Sequence, residues 1–247
     1  MKKIVKGKVC SCVANPLFVA LVALVVAVVA LVCAFCKCSA TKMEKVLLSN
    51  PEVVIKAMQA YEQQERERAQ AKAREAIEAS LDEINNNPNS PVIGNPDGKI
   101  VLVEFFDFSC GFCHRLYPAL KNIIEKNPDV KVVAKELTFL GSNSLYAAKA
   151  ALAANEQGKY APVYDALMDH KGALSPEKVD ELAEKAGVDL KKLKADMESA
   201  KIAEILRETS QLAQKINVNG VPTLILNGQV LQTIDEGVIQ NAINALK

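Results

Sequence analysis

The stretch that decides the fold is residues 99–114, KIVLVEFFDFSCGFCH. Its first half, residues 99–106, is a nearly continuous apolar run rich in β-branched and aromatic residues, which is typical of a strand buried on both faces of a sheet. A segment with a helix-compatible pattern follows at residues 115–126. The pattern therefore predicts a central strand that turns directly into a helix, with Cys110 and Cys113 at the turn.

This position gives the Cys-x-x-Cys spacing a chemical purpose. A helix N-terminus carries partial positive charge and free N–H groups, which stabilise a thiolate in the first turn. The two intervening residues, Gly111 and Phe112, let the second sulfur reach the first and close a disulfide. We expect Cys110 to be the exposed attacking thiol and Cys113 the shielded resolving thiol.

The alternative is that the two cysteines are half of a zinc site. Completing that site requires two more ligands, and the chain has no cysteine after Cys113. Of the two histidines, His114 adjoins Cys113 and would point elsewhere on a helix, whereas His170 lies far along the chain and is expected at the surface. We therefore predict no metal and no cofactor, and we consider His114 either an exposed residue or a modulator of the thiolate.

The segment VEFFDFSCGFCH at residues 103–114 resembles the active-site segment of the DsbA-like family of periplasmic thiol–disulfide oxidoreductases. The segment NVNGVPTLILNG at residues 217–228 resembles the second signature of that family. The resemblance covers about residues 90–247 and implies a thioredoxin-like fold. It also implies that Cys110 and Cys113 form a redox-active disulfide and that Pro222 is a cis-proline packed beside them.

Reasoning from the residues alone agrees with this role for Pro222. The proline precedes a short predicted strand, where it does not interrupt the ladder of hydrogen bonds. The backbone of Val221 could then pair with an extended substrate strand, as in β-augmentation. The alternative is an ordinary trans proline that opens a strand.

Helical patterns fill the chain between the two motifs, at about residues 141–216. We therefore expect an α/β, thioredoxin-like fold in residues 90–247, with a helical domain inserted between a βαβ half and a ββα half. The βαβ half carries Cys110, and the ββα half carries Pro222.

Two charged residues fall in predicted strands near the cysteines. Glu104 lies in an otherwise apolar strand, and in the family a buried acid of this kind can shuttle protons for the resolving thiol. Lys135 lies on the neighbouring predicted strand, and we expect it to modulate the site. The alternative is a buried Glu104–Lys135 pair that satisfies only itself.

Residues 1–40 are expected to direct export. Four lysines precede an uncharged apolar run that begins at Leu17 and ends at Phe35. Its length, about 28 Å as a helix, matches the hydrocarbon core of a bilayer. We expect a single-pass anchor in a bacterial inner membrane with the remainder in the periplasm. The alternative is a signal peptide cleaved near Ala40. Five further cysteines are taken as incidental: Cys10, Cys12, Cys33, Cys36 and Cys38.

Residues 41–89 are predicted to form a highly charged helix that ends in a linker. Val54, Met58 and Tyr61 form an apolar stripe at helical spacing, but the helix is too polar to bury a full face within one domain. It is either a solvated spacer or an oligomerisation stalk. We favour the stalk, which predicts a homodimer through residues 51–84.

The composition limits the partners, because 30 Lys and Arg against 29 Asp and Glu give no reason to expect nucleic-acid binding. We expect an exported enzyme that introduces disulfides into cysteine-containing proteins and exchanges electrons with a membrane redox partner. The first alternative is a disulfide isomerase or reductase, because the Gly111-Phe112 pair differs from the Pro-His pair of strongly oxidising relatives. The second is an exported metal-binding module without redox turnover.

Overall fold

The computed structural model describes residues 16–247, apart from the side chains of residues 16–18, 35–41 and 43. Contacts divide the chain into two units, Met1–Glu67 and Arg68–Lys247. The first unit contains helix α1 (Pro16–Ser49) and the beginning of helix α2 (Pro51–Glu78). The second unit contains the end of α2 and all the remaining elements.

The expected membrane anchor is not borne out. A membrane-spanning helix needs about 20 predominantly apolar residues, and no helix among the residues that the structure describes is long and apolar enough to cross a bilayer. The prediction of an inner-membrane span from Leu17 to Phe35 is therefore wrong, and so is the single-pass localisation that followed from it.

A five-stranded sheet forms the centre of the second unit, in the order β1-β3-β2-β4-β5. Strand β2 pairs with β3 in parallel and with β4 in antiparallel orientation, so it is the middle strand, as the apolar run predicts. The strands are β1 (Val92–Gly94), β2 (Ile100–Phe106), β3 (Val130–Glu136), β4 (Thr223–Leu226) and β5 (Gln229–Leu231).

Helices connect these strands in the order of a thioredoxin-like fold. Helix α4 (Gly111–Lys126) joins β2 to β3, and α10 (Glu236–Asn244) follows the β4–β5 hairpin. Five helices lie between β3 and β4 and form the predicted insertion. They are α5 (Ser142–Asn155), α6 (Tyr160–Asp169), α7 (Pro176–Lys185), α8 (Leu190–Met197) and α9 (Ala200–Lys215).

Segments that precede β2 also belong to the folded unit. Helix α3 (Leu81–Asn86) and strand β1 follow α2, and β1 pairs with β3 in antiparallel orientation. The side chains of Ile77 and Ile84 are buried in the apolar cluster on one face of the sheet. This part of the predicted stalk and linker therefore contributes to the core.

The two faces of the sheet have separate cores, because successive side chains of a strand point to opposite faces. Leu102 and Phe106 of β2 pack in the cluster that contains both site cysteines and residues of α4 to α8. Val103 and Phe105 pack on the other face, with residues of α2, α3 and α9. Glu104 shares the parity of Leu102 and Phe106 and therefore lies on the cysteine side.

Candidate active site

The cysteine pair lies at the N-terminus of α4, as the sequence predicts. Cys110 is the N-cap residue, with extended backbone angles, and Cys113 lies in the first turn. Both are free thiols in this structure. Cys113 is fully buried, and Cys110 is only 6% exposed, so Cys110 is less accessible than we expected.

The loop before β4 brings the second motif to the first. The peptide bond between Val221 and Pro222 is cis. The Cys110 thiol donates a hydrogen bond to the Val221 carbonyl oxygen, with 3.5 Å between Sγ and oxygen. Residues about 110 positions apart in the chain therefore meet at Sγ of Cys110, because β4 pairs with β2 immediately below the cysteine loop.

Asp107 fixes the shape of the cysteine loop, a role that was not predicted from the sequence. Its buried carboxylate accepts hydrogen bonds from the N–H of Ser109 at 2.8 Å and from the N–H of Leu140 at 3.1 Å. Its backbone carbonyl accepts the N–H of Cys110 at 2.9 Å. Asp107 thus ties the cysteine loop to the loop after β3. The available signal was the Asp-x-Ser spacing, which is typical of an Asx-turn.

Burial favours the neutral form of Cys113, the predicted resolving cysteine. Burial raises the pKa of the Cys113 thiol well above its ordinary value, and a hydrogen bond from the Asp107 backbone only partly opposes this effect. The neighbouring Cys110 and Glu104 raise the pKa further. A thiolate formed at Cys113 therefore needs a proton as soon as it appears.

Glu104 lies where it can influence that proton. The side chain is fully buried, and burial raises the pKa of its carboxyl to about 8, against the opposing effect of a hydrogen bond from the Tyr164 hydroxyl to Oε2 at 2.8 Å. The nearby Glu136 raises this pKa further. The other oxygen, Oε1, is buried and makes no hydrogen bond within the described residues. Glu104 therefore carries a proton at neutral pH.

Two more side chains, Glu136 and Tyr160, extend this buried polar group, and neither of them nor Tyr164 was predicted from the sequence. The Tyr160 hydroxyl donates to Oε1 of Glu136, which is also buried. Burial raises the pKa of Glu136 to about 7, and the Tyr160 hydrogen bond opposes that effect. The rings of Tyr160 and Tyr164 are stacked, with 6.1 Å between their centroids. The available signal was the four-residue spacing of the two tyrosines, which places them on one helix face.

The structure does not bring Lys135 to the cysteine pair. Lys135 lies opposite Phe105 in the β2–β3 ladder, whereas Glu104 lies opposite Ala134, so the two charged side chains point to opposite faces. The Lys135 Nζ donates to the carbonyl of Glu83 at 3.1 Å and to the Ser90 hydroxyl at 2.8 Å. Neither the modulating role nor the Glu104–Lys135 pair agrees with this placement.

His114 and Phe112 lie beside the cysteines and face different surroundings. The His114 ring nitrogens contact two carbonyl oxygens, Nδ1 that of Met168 at 2.8 Å and Nε2 that of Phe108 at 2.7 Å. His114 thereby connects the cysteine loop to the end of α6. Phe112 is 57% exposed, with the Arg115 guanidinium 4.0 Å from its ring centroid.

A cavity of about 600 Å³ adjoins this end of α4. Ser109, Gly111 and His114 line it on the side of the cysteine loop, and His170 lines it on the side of the insertion. Within residues 16–247, no group of three or more His, Cys, Asp or Glu side chains is placed to hold a metal ion. Among the other cysteines, Cys33 is an exposed free thiol. Cys10 and Cys12 lie outside the described residues, and the side chains of Cys36 and Cys38 are not described.

The buried Glu104 makes stability depend on pH. Its pKa is about 8 in the folded protein against an ordinary value of 4.5, so between these values the folded chain binds more protons than the unfolded chain. The free energy of unfolding therefore falls as the pH rises through this window. Between about pH 5 and about pH 8, the free energy of unfolding should fall less in E104Q than in the wild type. We expect the difference between these two falls to be on the order of 2–4 kcal/mol.

Urea unfolding of the reduced proteins at both pH values measures this difference. Replacing the exposed Glu78 with Gln is the control, and this variant should follow the wild type. Identical pH dependence in E104Q and the wild type would contradict the assignment of Glu104 as a buried, protonated carboxyl.

Comparisons with known proteins agree with this geometry. A family model described as "DSBA-like thioredoxin domain" matches residues 101–243. A thioredoxin-like oxidoreductase from Silicibacter pomeroyi is 34% identical, with a TM-score of 0.64 over 67% of this chain and 96% of that one. The thiol-disulfide exchange protein α-DsbA2 from Wolbachia pipientis is 26% identical, with a TM-score of 0.66 over 73% of this chain and 98% of that one.

Curated relatives include the thiol:disulfide interchange protein DsbA from Pseudomonas aeruginosa, 29% identical over 57% of this chain and 69% of its own length. Others are much longer. The chain spans 22% of the length of a Na⁺/H⁺ antiporter NhaA from Salinispora arenicola, which is 29% identical over 140 residues. The family match covers more than half of the chain and contains the cysteine pair and Pro222. The chain belongs to the DSBA-like thioredoxin domain family.

Proposed function

We propose that this protein is an exported thiol–disulfide oxidoreductase that introduces disulfides into cysteine-containing proteins. The observation that carries the proposal is the contact between the Cys110 thiol and the Val221 carbonyl at 3.5 Å, at the start of the helix whose first turn contains the buried Cys113. The Pseudomonas relative is a thiol:disulfide interchange protein and the Wolbachia relative is a thiol-disulfide exchange protein, which supports the same chemistry here.

In the proposed reaction, a substrate thiolate attacks Sγ of Cys110 in the oxidised enzyme. The bond between Cys110 and Cys113 breaks, and Cys113 leaves with the electron pair. Because burial raises the pKa of Cys113, its sulfur takes a proton, and the protonated carboxyl of Glu104 supplies it. A second substrate thiolate then attacks the substrate sulfur of the mixed disulfide, which releases the oxidised substrate and reduced Cys110.

Substrate positioning is assigned to the surface around Cys110. The backbone of Val221 would pair with an extended substrate strand, and Pro222 would hold that backbone beside the sulfur. The exposed ring of Phe112 offers an apolar contact to an unfolded chain. The proposed substrates are therefore unfolded proteins with accessible cysteine pairs, and each turnover requires a separate redox partner to reoxidise the enzyme.

Isomerase activity is the second candidate, and one observation favours it. Helix α2 exposes four neighbouring apolar side chains, those of Val53, Val54, Met58 and Tyr61. The last three form the apolar stripe at helical spacing. A second copy of the chain would cover these apolar side chains, and a homodimer would present two cysteine sites to one misfolded substrate. The dimer is therefore proposed through the exposed part of residues 51–84, because Ile77 and Ile84 are buried in the core of their own chain.

Variants of the two cysteines test the exchange reaction. C110S removes the attacked sulfur and should lower the rate of disulfide formation in reduced ribonuclease by about 1,000-fold or more. C113S lacks the resolving thiol, so a Cys110 thiolate that attacks a disulfide of scrambled ribonuclease should remain in a mixed disulfide that is visible on non-reducing gels. C33S removes an exposed cysteine outside the site and should behave as the wild type.

Full activity in C110S would contradict the proposed function. Purified protein that binds metal stoichiometrically and shows no disulfide exchange would favour the metal-binding module instead.

Substitution of the α2 stripe tests the dimer. Light scattering should report a dimer for the wild type and a monomer for V54E/M58E, because two buried carboxylates at the interface are costly. The monomeric variant should retain disulfide formation but lose the ability to rearrange scrambled ribonuclease. A wild-type monomer at all concentrations would contradict the dimer.

A further inference from the structure

Two carboxyl–tyrosine pairs share one buried region beneath the cysteine pair. The Tyr164 hydroxyl donates to Glu104, and the Tyr160 hydroxyl donates to Glu136. All four side chains are buried, and the two tyrosine rings stack at an interplanar angle of 24°. The reaction described above uses only Glu104, so Glu136 and Tyr160 are left without a role.

Strand register places the two carboxyls on the same face of the sheet. Glu104 lies opposite Ala134, and Glu136 lies opposite Phe106 in the parallel β2–β3 ladder. Residues two apart on one strand face the same side, so Glu104 and Glu136 are diagonal neighbours across the two strands. Helix α6 covers them, because both tyrosines come from it.

The charged groups around this region offer little compensation for two negative charges. Strand β3 also supplies Lys135, whose Nζ is bonded on the opposite face but whose positive charge still acts on Glu136. Helix α4 supplies Cys113, and α6 supplies Asp165, which accepts a hydrogen bond from Tyr117. Ionisation of Glu136 therefore makes ionisation of Glu104 more difficult, and the two carboxyls titrate as a coupled pair.

We propose that Glu136, held by Tyr160, is a positioning residue that controls when Glu104 holds the proton needed by Cys113. The inference rests on the proposed function. When Cys113 leaves as a thiolate, the proton moves from the Glu104 carboxyl to Sγ of Cys113, and Glu104 becomes a carboxylate. A negative charge on Glu136 disfavours ionisation of the neighbouring Glu104. Glu104 therefore keeps the proton that Cys113 needs up to a higher pH.

The pH profile of disulfide reduction measures this effect. The oxidised full-length protein is reduced by dithiothreitol, and the rate is divided by the concentration of dithiothreitol thiolate at each pH. The corrected wild-type rate should fall as Glu104 loses its proton, around pH 8. In E136Q the midpoint should move to lower pH by about half a unit or more, because the neighbouring negative charge is gone.

Y160F provides a second variant that leaves the carboxyl in place. The Tyr160 hydrogen bond lowers the pKa of Glu136, so without it Glu136 stays neutral to higher pH. The midpoint should therefore shift in the same direction as in E136Q, and Y160F decides the question if E136Q does not fold. Y146F is the matched control, because Tyr146 donates to Asp180 at 2.8 Å in a tyrosine–carboxylate pair of helices α5 and α7. It should keep the wild-type midpoint.

The possible failures are distinguishable. Suppose that the corrected rate of the wild type falls with pH as expected, and that E136Q and Y160F both show the wild-type midpoint. That result would overturn the role of Glu136 and leave the proposed function intact. An equal shift in Y146F would also overturn it, because the effect would then not be specific to this pair. No reduction of the disulfide in the wild type would overturn the proposed function, and this inference with it.

Discussion

Strand β2 lies between β3 and β4 in the middle of the sheet, and the burial of both its faces constrains the whole site. A carboxyl in such a strand cannot remain charged without a partner, because a buried unpaired charge is very costly. Glu104 meets this constraint by holding a proton and accepting the Tyr164 hydroxyl. The same strand carries the chain to the cysteine loop, so the protonated carboxyl lies beneath the reacting sulfurs.

The site divides its two sulfurs between different environments. Cys110 lies at the helix N-terminus with Val221 beside it, whereas Cys113 is enclosed by the core. The Asp107 carboxylate maintains this division by fixing the cysteine loop to the loop after β3. Burial disfavours a charge on Cys113, so the fold directs attack to Cys110 and requires a proton donor for Cys113. The fold therefore favours both steps of the proposed reaction, the exchange at Cys110 and the proton transfer to Cys113.

The sequence predicted the parts of this arrangement that depend on local pattern. Strand β2, the start of α4, the cysteine pair and the cis-proline loop follow from apolar runs, helix signals and the family resemblance. The positions of Glu136 and Tyr160 could not be predicted in this way, because they depend on strand register and on which helix covers the sheet. Lys135 was misplaced for the same reason, since the relative register of two strands decides which face each side chain takes.

The proposed function requires that Cys110 and Cys113 form a redox pair that oxidises other proteins. Its most direct test is the reduction potential of this pair, measured by thiol alkylation after equilibration in glutathione buffers, because the chain has no Trp to report the change by fluorescence. We predict reversible cycling with a potential of about −120 mV, as expected when the reduced form is stabilised. A potential of about −200 mV or lower, or a pair that does not cycle, would contradict it.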